Sequence, residues 1–461
     1  MDVKDVHQDQ PVPANSTEDS TGRFHAVLVI CLVALAILLP VTLVVAHVYR
    51  YTQLSPIDEL QHIDYYLKSP TLIVLGDRIG EPAMREEACR GIDAAFTVPL
   101  CDAPTLSPDQ FQESGFNTAY IHPPTYYSLT ALLSLPMRWF GLESVTAGRL
   151  VGGFWLALGL LLTWITGRRM QINAVALAAS LLLIGVMPSV VYSSSLINPD
   201  ATSLPAGAAV VLLTLEAERR TNYWRWILVA LAAAVAVGFK SQNIIIIVCL
   251  ALYLLLRAWQ KFTNKPTAPD IEHTPRRRAL TVAGMALALG IFALFVVGAW
   301  LKVVSSIGGS SADIPMNSAL HGGPGVPWAE LVNSLGIFFP PSSAYVSIFL
   351  RGAAIQTGMI VTGLVLIAGC TGIGWFLTEA SPGIRALARA VTITAVLGAP
   401  LMVIANDVLL DSVFQIPGRY GLAMLPAIAL CVATGTRSIL GRSLLTVLGV
   451  CVAAATMATI W

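Results

Sequence analysis

Long apolar runs separated by short polar connectors dominate this chain and constrain its fold. Each run is long enough, as a helix, to cross a hydrocarbon core of about 30 Å. Eleven such segments are found, at 24–48, 144–167, 173–193, 199–217, 223–239, 243–259, 280–304, 351–377, 386–406, 419–436 and 443–461. The sequence therefore predicts an all-α polytopic membrane protein with about 11 transmembrane helices.

The composition excludes a soluble fold. Hydrophobic residues make up 55% of the chain and charged residues 12%, whereas soluble domains carry roughly 25% charged residues. The 28 basic and 27 acidic residues leave no excess of positive charge, so we expect no nucleic-acid partner. Residues 1–23 are mostly polar and are predicted to form a disordered cytosolic tail before a membrane domain at 24–461.

Lysine and arginine determine the predicted orientation. With segment 123–141 lying flat in the outer interface, most basic residues outside the first long loop fall in cytosolic connectors, as the positive-inside rule requires. The outer side then carries two long loops, 49–143 and 305–350, and loops of this length are usually functional. We therefore expect a multi-pass protein of the plasma membrane with its active site facing outside, or the periplasm.

Two adjacent carboxylates and a histidine follow the first apolar segment. The motif reads Ser55-Pro56-Ile57-Asp58-Glu59-Leu60-Gln61-His62, and Pro56 favours a helix start here. Asp58 and His62 then lie on one helix face, four residues apart. The alternative is a solvated helix start, in which the two acids only complement the helix dipole.

Further ionisable groups map to the same outer side. Asn198-Pro199-Asp200 starts one apolar segment, Lys240 separates two others, and Arg419 opens the penultimate one. Each has a structural alternative: Asp200 as a first-turn acid, Lys240 as a snorkelling anchor and Arg419 as an interfacial anchor. Together, however, they supply acids that can deprotonate a hydroxyl and cations that can stabilise a phosphate leaving group. His321, in a loop rich in glycine and proline, is predicted to be a spectator.

Two of the seven cysteines lie in the first outer loop. Cys89 and Cys101 are predicted to form a disulfide, since an oxidising compartment favours such pairs. Two unpaired thiols are the alternative.

The order of these motifs resembles the GT-C superfamily of membrane glycosyltransferases. The motifs are Asp58-Glu59-x-x-His62, His122-Pro123-Pro124-x-Tyr126-Tyr127, Asn198-Pro199-Asp200 and Gly418-Arg419-Tyr420. They are most similar to a bacterial family whose substrates are mostly unassigned. The resemblance implies juxtamembrane helices in the first outer loop, with Asp58 as general base and Glu59 beside it.

The same resemblance implies roles for the other residues. Lys240 would bind the donor phosphate, with Arg419 and His62 assisting, and Asp200, His122 and Asn198 would form a second acidic, acceptor side. The implied donor is a polyprenyl-phosphate monosugar, transferred with inversion to an envelope glycan, lipid or protein. A divalent cation held by Asp58 and Asp200 is left open, and so is the alternative function, a transporter or flippase of a lipid-linked sugar.

Overall fold

The computed structural model describes residues 16–92, 97–219, 222–263, 273–307, 325–339, 353–410 and 412–460. The helices in these ranges are α1 Ser16–Arg50, α2 Glu59–Lys68, α3 Glu81–Arg90, α4 Thr125–Trp139, α5 Ser144–Arg169, α6 Ala174–Gly185, α7 Pro188–Ser193, α8 Ser203–Arg219, α9 Tyr223–Phe239, α10 Ile244–Thr263, α11 His273–Ser306, α12 Trp328–Asn333, α13 Ala353–Thr371, α14 Pro382–Leu410, α15 Leu425–Gly435 and α16 Ile439–Ile460. In this part of the chain, β-structure is confined to the isolated bridges Leu54–Ile92 and Arg78–Phe116.

The helices confirm the predicted all-α membrane architecture. Within the described ranges, eight helical segments are long and apolar enough to cross a membrane, and α6 and α9 are shorter apolar helices. Every predicted apolar segment coincides with one helix or with two successive helical pieces in the described residues. Segment 173–193, for example, is α6 followed by α7, and the break falls before Pro188, which favours the first position of a new helix. The chain is therefore a multi-pass membrane protein.

The two ends of the chain and the second outer loop are described only in part. Helix α1 begins at Ser16, earlier than the predicted start at residue 24, and residues 1–15 lie outside the described part. Of loop 305–350, the structure describes 305–307 and 325–339, where α12 lies. His321 falls outside the described residues.

Loop 49–143, in which the resemblance implies juxtamembrane helices, carries the three helices α2, α3 and α4. Helix α4, which covers most of segment 123–141, has 15 residues and therefore rises about 22 Å, less than the hydrocarbon core requires. It buries Tyr126, Tyr127, Thr130 and Ser134 and contacts α2, α5 and α9. This length supports a helix that packs on the membrane domain without crossing a bilayer.

Three short 3₁₀ turns at helix starts bring the candidate residues together. Pro199–Thr202 precedes α8, Ser241–Asn243 follows Lys240 and precedes α10, and Gly418–Met424 precedes α15. The Gly418–Met424 turn contacts both of the other turns and also α8. Residues far apart in sequence therefore meet at one end of the helix bundle.

Close backbone contacts fix this end of the bundle. A Cβ atom on Gly207 of α8 would lie 2.0 Å from the carbonyl oxygen of Ala423, and one on Gly152 of α5 would lie 1.9 Å from that of Ser194. Both contacts are with backbone, which cannot rotate away. Only glycine therefore allows α8 to approach Ala423, and α5 to approach Ser194, so closely.

Gly152→Ala and Gly153→Ala test this packing. Gly152→Ala should lower the free energy of unfolding by about 1–3 kcal/mol, because the new methyl group overlaps the Ser194 backbone. Gly153→Ala is the matched control, since its Cβ would meet only the side chains of Val41 and Val44 at 3.6 Å. Thermal unfolding in detergent measures both variants, and equal midpoints would contradict the proposed constraint.

Candidate active site

Asp58 stands at the start of α2 with its side chain unengaged. Its backbone is left-handed, with φ 59° and ψ 4°, which is uncommon for a residue other than glycine. The carboxylate does not cap α2 and forms no hydrogen bond or salt bridge with the residues that the structure describes. Burial raises the pKa of Asp58, and the Arg419 and Lys240 cations oppose that rise. Asp58 is thus a proton acceptor close to two cations.

The adjacent Glu59 is occupied elsewhere. Its carboxylate forms a bidentate ion pair with Arg149 of α5, with Nε–Oε1 and Nη2–Oε2 distances of 2.8 Å, and both side chains are almost completely buried. The backbone N–H groups of Ser55 and Ile197 also donate to Glu59, at 2.7 and 3.4 Å. The sequence predicted Glu59 beside Asp58 in a catalytic pair. In the structure its oxygens are fully engaged, because a buried carboxylate requires this compensation.

Arg149 ties the start of α2 to the end of α1. Besides Glu59 it donates to the carbonyl oxygens of Tyr51 at 3.0 Å and Gln53 at 2.9 Å. Arg149 is not among the residues predicted from the sequence. The available signal was an arginine inside an otherwise apolar segment, which in a membrane helix marks a partner within the protein.

Asp200 binds two cations. Lys240 Nζ donates to Oδ1 of Asp200, and Arg419 Nε lies 3.1 Å from Oδ2. The side chains of Asp200 and Lys240 are 1% and 3% exposed, so the charges neutralise one another out of contact with water. Asn198 holds Asp200 in place, because its Oδ1 accepts from the Asp200 backbone N–H at 2.9 Å.

Lys240 lies between α9 and the Ser241–Asn243 turn and packs against an aromatic face. Its Nζ is 4.5 Å from the centroid of the Tyr420 ring, a favourable cation–π distance. Burial lowers the pKa of Lys240 to about 8, and the Asp200 carboxylate opposes that effect. The lysine is therefore cationic at neutral pH and is held in place.

Two histidines border the site. His62 Nδ1 is 2.6 Å from the Tyr127 hydroxyl, and the His62 and His122 ring centroids are 5.4 Å apart. Burial lowers the pKa of His62 to about 3 and that of His122 well below its ordinary value. Both rings are uncharged at neutral pH, so His62 can contact a phosphate only as a neutral hydrogen-bonding group. Tyr127 stacks on Tyr65 with ring centroids 4.0 Å apart, which holds it against α2.

The predicted disulfide is present. Cys89 and Cys101 are bonded, with Cα atoms 4.4 Å apart. Cys89 lies near the end of α3, and the bond closes the segment that follows it. The disulfide belongs to loop 49–143 and does not contribute to the cluster of acids and cations.

The donor set does not fit a divalent cation. Both oxygens of Asp200 already face Lys240 and Arg419, and a metal ion between Asp200 and Asp58 would lie beside these two positive charges. Among the residues described, no group of three or more His, Cys, Asp and Glu side chains forms a metal cluster. This arrangement therefore does not support the divalent cation that the sequence left open at Asp58 and Asp200.

Arg149→Met tests the buried pair. This change should lower the free energy of unfolding by about 3–5 kcal/mol, because it leaves Glu59 charged and unpaired in the interior. The double variant Arg149→Met with Glu59→Met should recover much of this loss, since both charges are removed together. Thermal unfolding of the three proteins measures the coupling. Additive losses would show that the two residues do not depend on each other.

Glu87, in α3, predicts a pH-dependent stability. The side chain is buried, and neither carboxylate oxygen has a hydrogen-bond partner among the described residues. Burial, assisted by the nearby Glu59 charge, raises the pKa of Glu87 to about 7. The folded state therefore favours the protonated acid. The contribution of Glu87 to the free energy of unfolding is therefore complete below its pKa in the unfolded chain, about 4.5, and is lost as the pH rises towards 7.

Glu87→Gln, which does not titrate, should consequently gain stability over the natural protein as the pH rises. The expected gain between pH 5 and pH 8 is about 2–3 kcal/mol. Glu86→Gln is the control, because Glu86 forms only a partly exposed pair with Arg90. Thermal midpoints at the two pH values measure the effect, and an equal pH response in all three proteins would refute it.

Comparison with known proteins bears on the central part of the chain. Residues 122–269 match a family model described as dolichyl-phosphate-mannose-protein mannosyltransferase. No curated protein matches the chain. Two solved structures of ArnT from Cupriavidus metallidurans, in the apo state and bound to undecaprenyl phosphate, are similar with a TM-score of 0.45 each and 16% and 17% sequence identity.

These alignments cover 91% and 89% of this chain and 60% of each ArnT chain, so the protein spans about three fifths of the length of these structures. The family match includes His122, Asn198, Asp200 and Lys240, four of the residues selected from the sequence. The match agrees, over this part of the chain, with the predicted resemblance to the GT-C superfamily of membrane glycosyltransferases.

Proposed function

We propose that this protein transfers a monosugar from a polyprenyl-phosphate donor to a hydroxyl group, with inversion, at the outer face of the plasma membrane. The acceptor is a glycan, lipid or protein of the cell envelope. The observation that carries the proposal is the free carboxylate of Asp58 beside the Asp200–Lys240–Arg419 cluster. The family match supports the donor class, because the description names a dolichyl-phosphate sugar, which is a polyprenyl phosphate.

Asp58 is the general base in this proposal. The acceptor oxygen attacks the anomeric carbon while Asp58 takes the hydroxyl proton, and the bond from that carbon to the phosphate oxygen breaks. The polyprenyl phosphate leaves with the bonding electrons, and a single displacement inverts the anomeric configuration. A carboxylate with a raised pKa and no competing partner is suited to this step.

Lys240 and Arg419 stabilise the phosphate. Negative charge develops on the phosphate oxygen as the bond breaks, and two fixed cations in a site with little water lower the energy of that state. Asp200 holds both cations in position before the donor arrives, which avoids reorganisation during the reaction. The two cations outnumber the Asp200 charge, so the cluster retains a net attraction for an anion.

Glu59 and Arg149 act as positioning residues. Their ion pair fixes the first residue of α2 relative to α5, and Asp58 immediately precedes that residue. A rigid ion pair of this kind keeps a base within reach of its proton.

The transporter alternative is not favoured, because these groups lie at helix ends rather than midway along the helices, where transporters place their substrate sites.

Asp58→Asn tests the base. Turnover should fall about a hundredfold or more, because loss of a general base typically costs 10²–10⁴ in rate, while donor binding should change little. Asp102→Asn is the matched control: it removes one charge from an exposed position in the same outer loop. The measurement is transfer of labelled sugar by protein reconstituted with polyprenyl-phosphate sugars. Full activity of Asp58→Asn would exclude Asp58 as the base.

Lys240→Gln tests the phosphate contact. The glutamine can still hydrogen-bond to Asp200, and Arg419 still balances its charge, so folding should survive. Donor affinity should fall by about tenfold or more, since a charge-assisted hydrogen bond is worth roughly 1.5–3 kcal/mol. Donor titration with Asp58→Asn as a binding-competent reference measures the change. Unchanged donor affinity in Lys240→Gln would show that Lys240 is only a structural partner of Asp200.

A further inference from the structure

A second charged site lies at the opposite end of the helix bundle from Asp58. It is a cavity of about 850 Å³ lined at the ends of α8 and α10 and by the connectors between α5 and α6, α13 and α14, and α15 and α16. Helices α8 and α10 begin near Asp200 and Lys240 and end at this cavity. The cavity is therefore separated from the candidate active site by the length of these helices.

Positive charge dominates the wall of this cavity. Arg219, Arg257, Lys261 and Arg437 line it, and Glu218 is the one acidic residue among the described residues that do so. The side chain of Glu218 is 8% exposed, and it accepts hydrogen bonds from Arg257 at 2.8 Å and Lys261 at 3.0 Å and from the Tyr253 hydroxyl. Its charge is compensated within the wall and does not cancel the other cations.

The two most exposed cations of the wall, Arg219 and Arg437, are weakly held. Arg219 lies 3.6 Å from Glu216 with its side chain 46% exposed, and Arg437 bonds to Glu379, which is 79% exposed. Surface pairs of this kind are worth little and exchange readily with another anion. Helix α14, which is 29 residues long, starts at Pro382 on the same wall and adds the positive end of its dipole.

The remaining wall is apolar. Ile172, Leu215, Ile384 and Leu387 line it beside the charged groups. A ligand that satisfies both parts of the wall carries an anionic head and an apolar portion.

We propose that this cavity binds a phosphate-bearing anion, and that the phosphate belongs to the headgroup of an anionic phospholipid in the adjacent leaflet. Arg219 and Arg437 contact the phosphate, while Arg257 and Lys261 contribute charge from the wall. The apolar side chains receive the start of the acyl chains. This site is distinct from the donor site, and its occupancy does not depend on the transfer reaction.

The experiment compares three full-length proteins purified in detergent. The cavity variant carries Arg219→Gln with Arg437→Gln, and both positions are exposed enough for folding to be retained. The control variant carries Arg169→Gln with Arg442→Gln, which removes the same charge near the same end of the bundle from two residues that do not line the cavity. Each protein is titrated with short-chain phosphatidylglycerol, short-chain phosphatidylcholine or inorganic pyrophosphate, and thermal unfolding gives the apparent affinity.

Phosphatidylglycerol should stabilise the natural protein and the control variant, and the cavity variant should bind it at least about tenfold more weakly. Phosphatidylcholine should not stabilise any one of the three proteins more than the others. If pyrophosphate alone shows this pattern, the phosphate site stands and its ligand is a soluble phosphate compound. Equal responses of all three proteins, or no response to either phosphate probe, would overturn the proposal.

Discussion

The arrangement of the candidate active site depends on the mutual neutralisation of Asp200, Lys240 and Arg419. Each of these residues lies in or next to a short turn at the start of a membrane helix, and all three are buried. An isolated charge in this position would cost several kcal/mol, so none of the three segments can be displaced without exposing the charges of the other two. Three helix starts distant in sequence are thereby held together.

The two adjacent carboxylates have divided roles as a consequence of their surroundings. Glu59 is closed in by Arg149 and by backbone N–H groups, whereas the Asp58 carboxylate forms no hydrogen bond or salt bridge with the described residues. The same pair of residue types therefore yields one structural anchor and one group free to accept a proton. The rigidity of the first supports the second, because the two residues share a peptide bond.

The helix bundle carries charge at both ends, but in different forms. Near Asp58 the charges are buried and tightly paired, which suits a preorganised reaction site. At the far end the cations of the cavity wall are partly exposed and exceed the acids, which suits exchangeable binding of an anion. Glycine contacts such as Gly152 with Ser194 and Gly207 with Ala423 keep the helices between these ends in register.

The sequence by itself determined the membrane architecture, because hydropathy and span length depend only on local composition. It also predicted the cluster of Asp58, Asp200, Lys240 and Arg419, since each lies at the outer end of an apolar segment and chain alternation places such ends on one side. The pairing of Cys89 with Cys101 followed from their location in one outer loop.

Only the tertiary structure decided which charges pair. Glu59 and Arg149 are 90 residues apart, and nothing in their local sequence distinguishes this pair from a contact between Glu59 and Lys240. The neutral state of His62 was likewise not predictable, because its lowered pKa arises from burial and from the nearby Lys240 and Arg419 cations. The cavity at the far end is formed by five connectors and helix ends that meet only in the folded bundle. Ion pairing and burial depend on distances in the folded protein. The distances between segments remote in sequence are set by how the helices pack, and not by the residue at any one position.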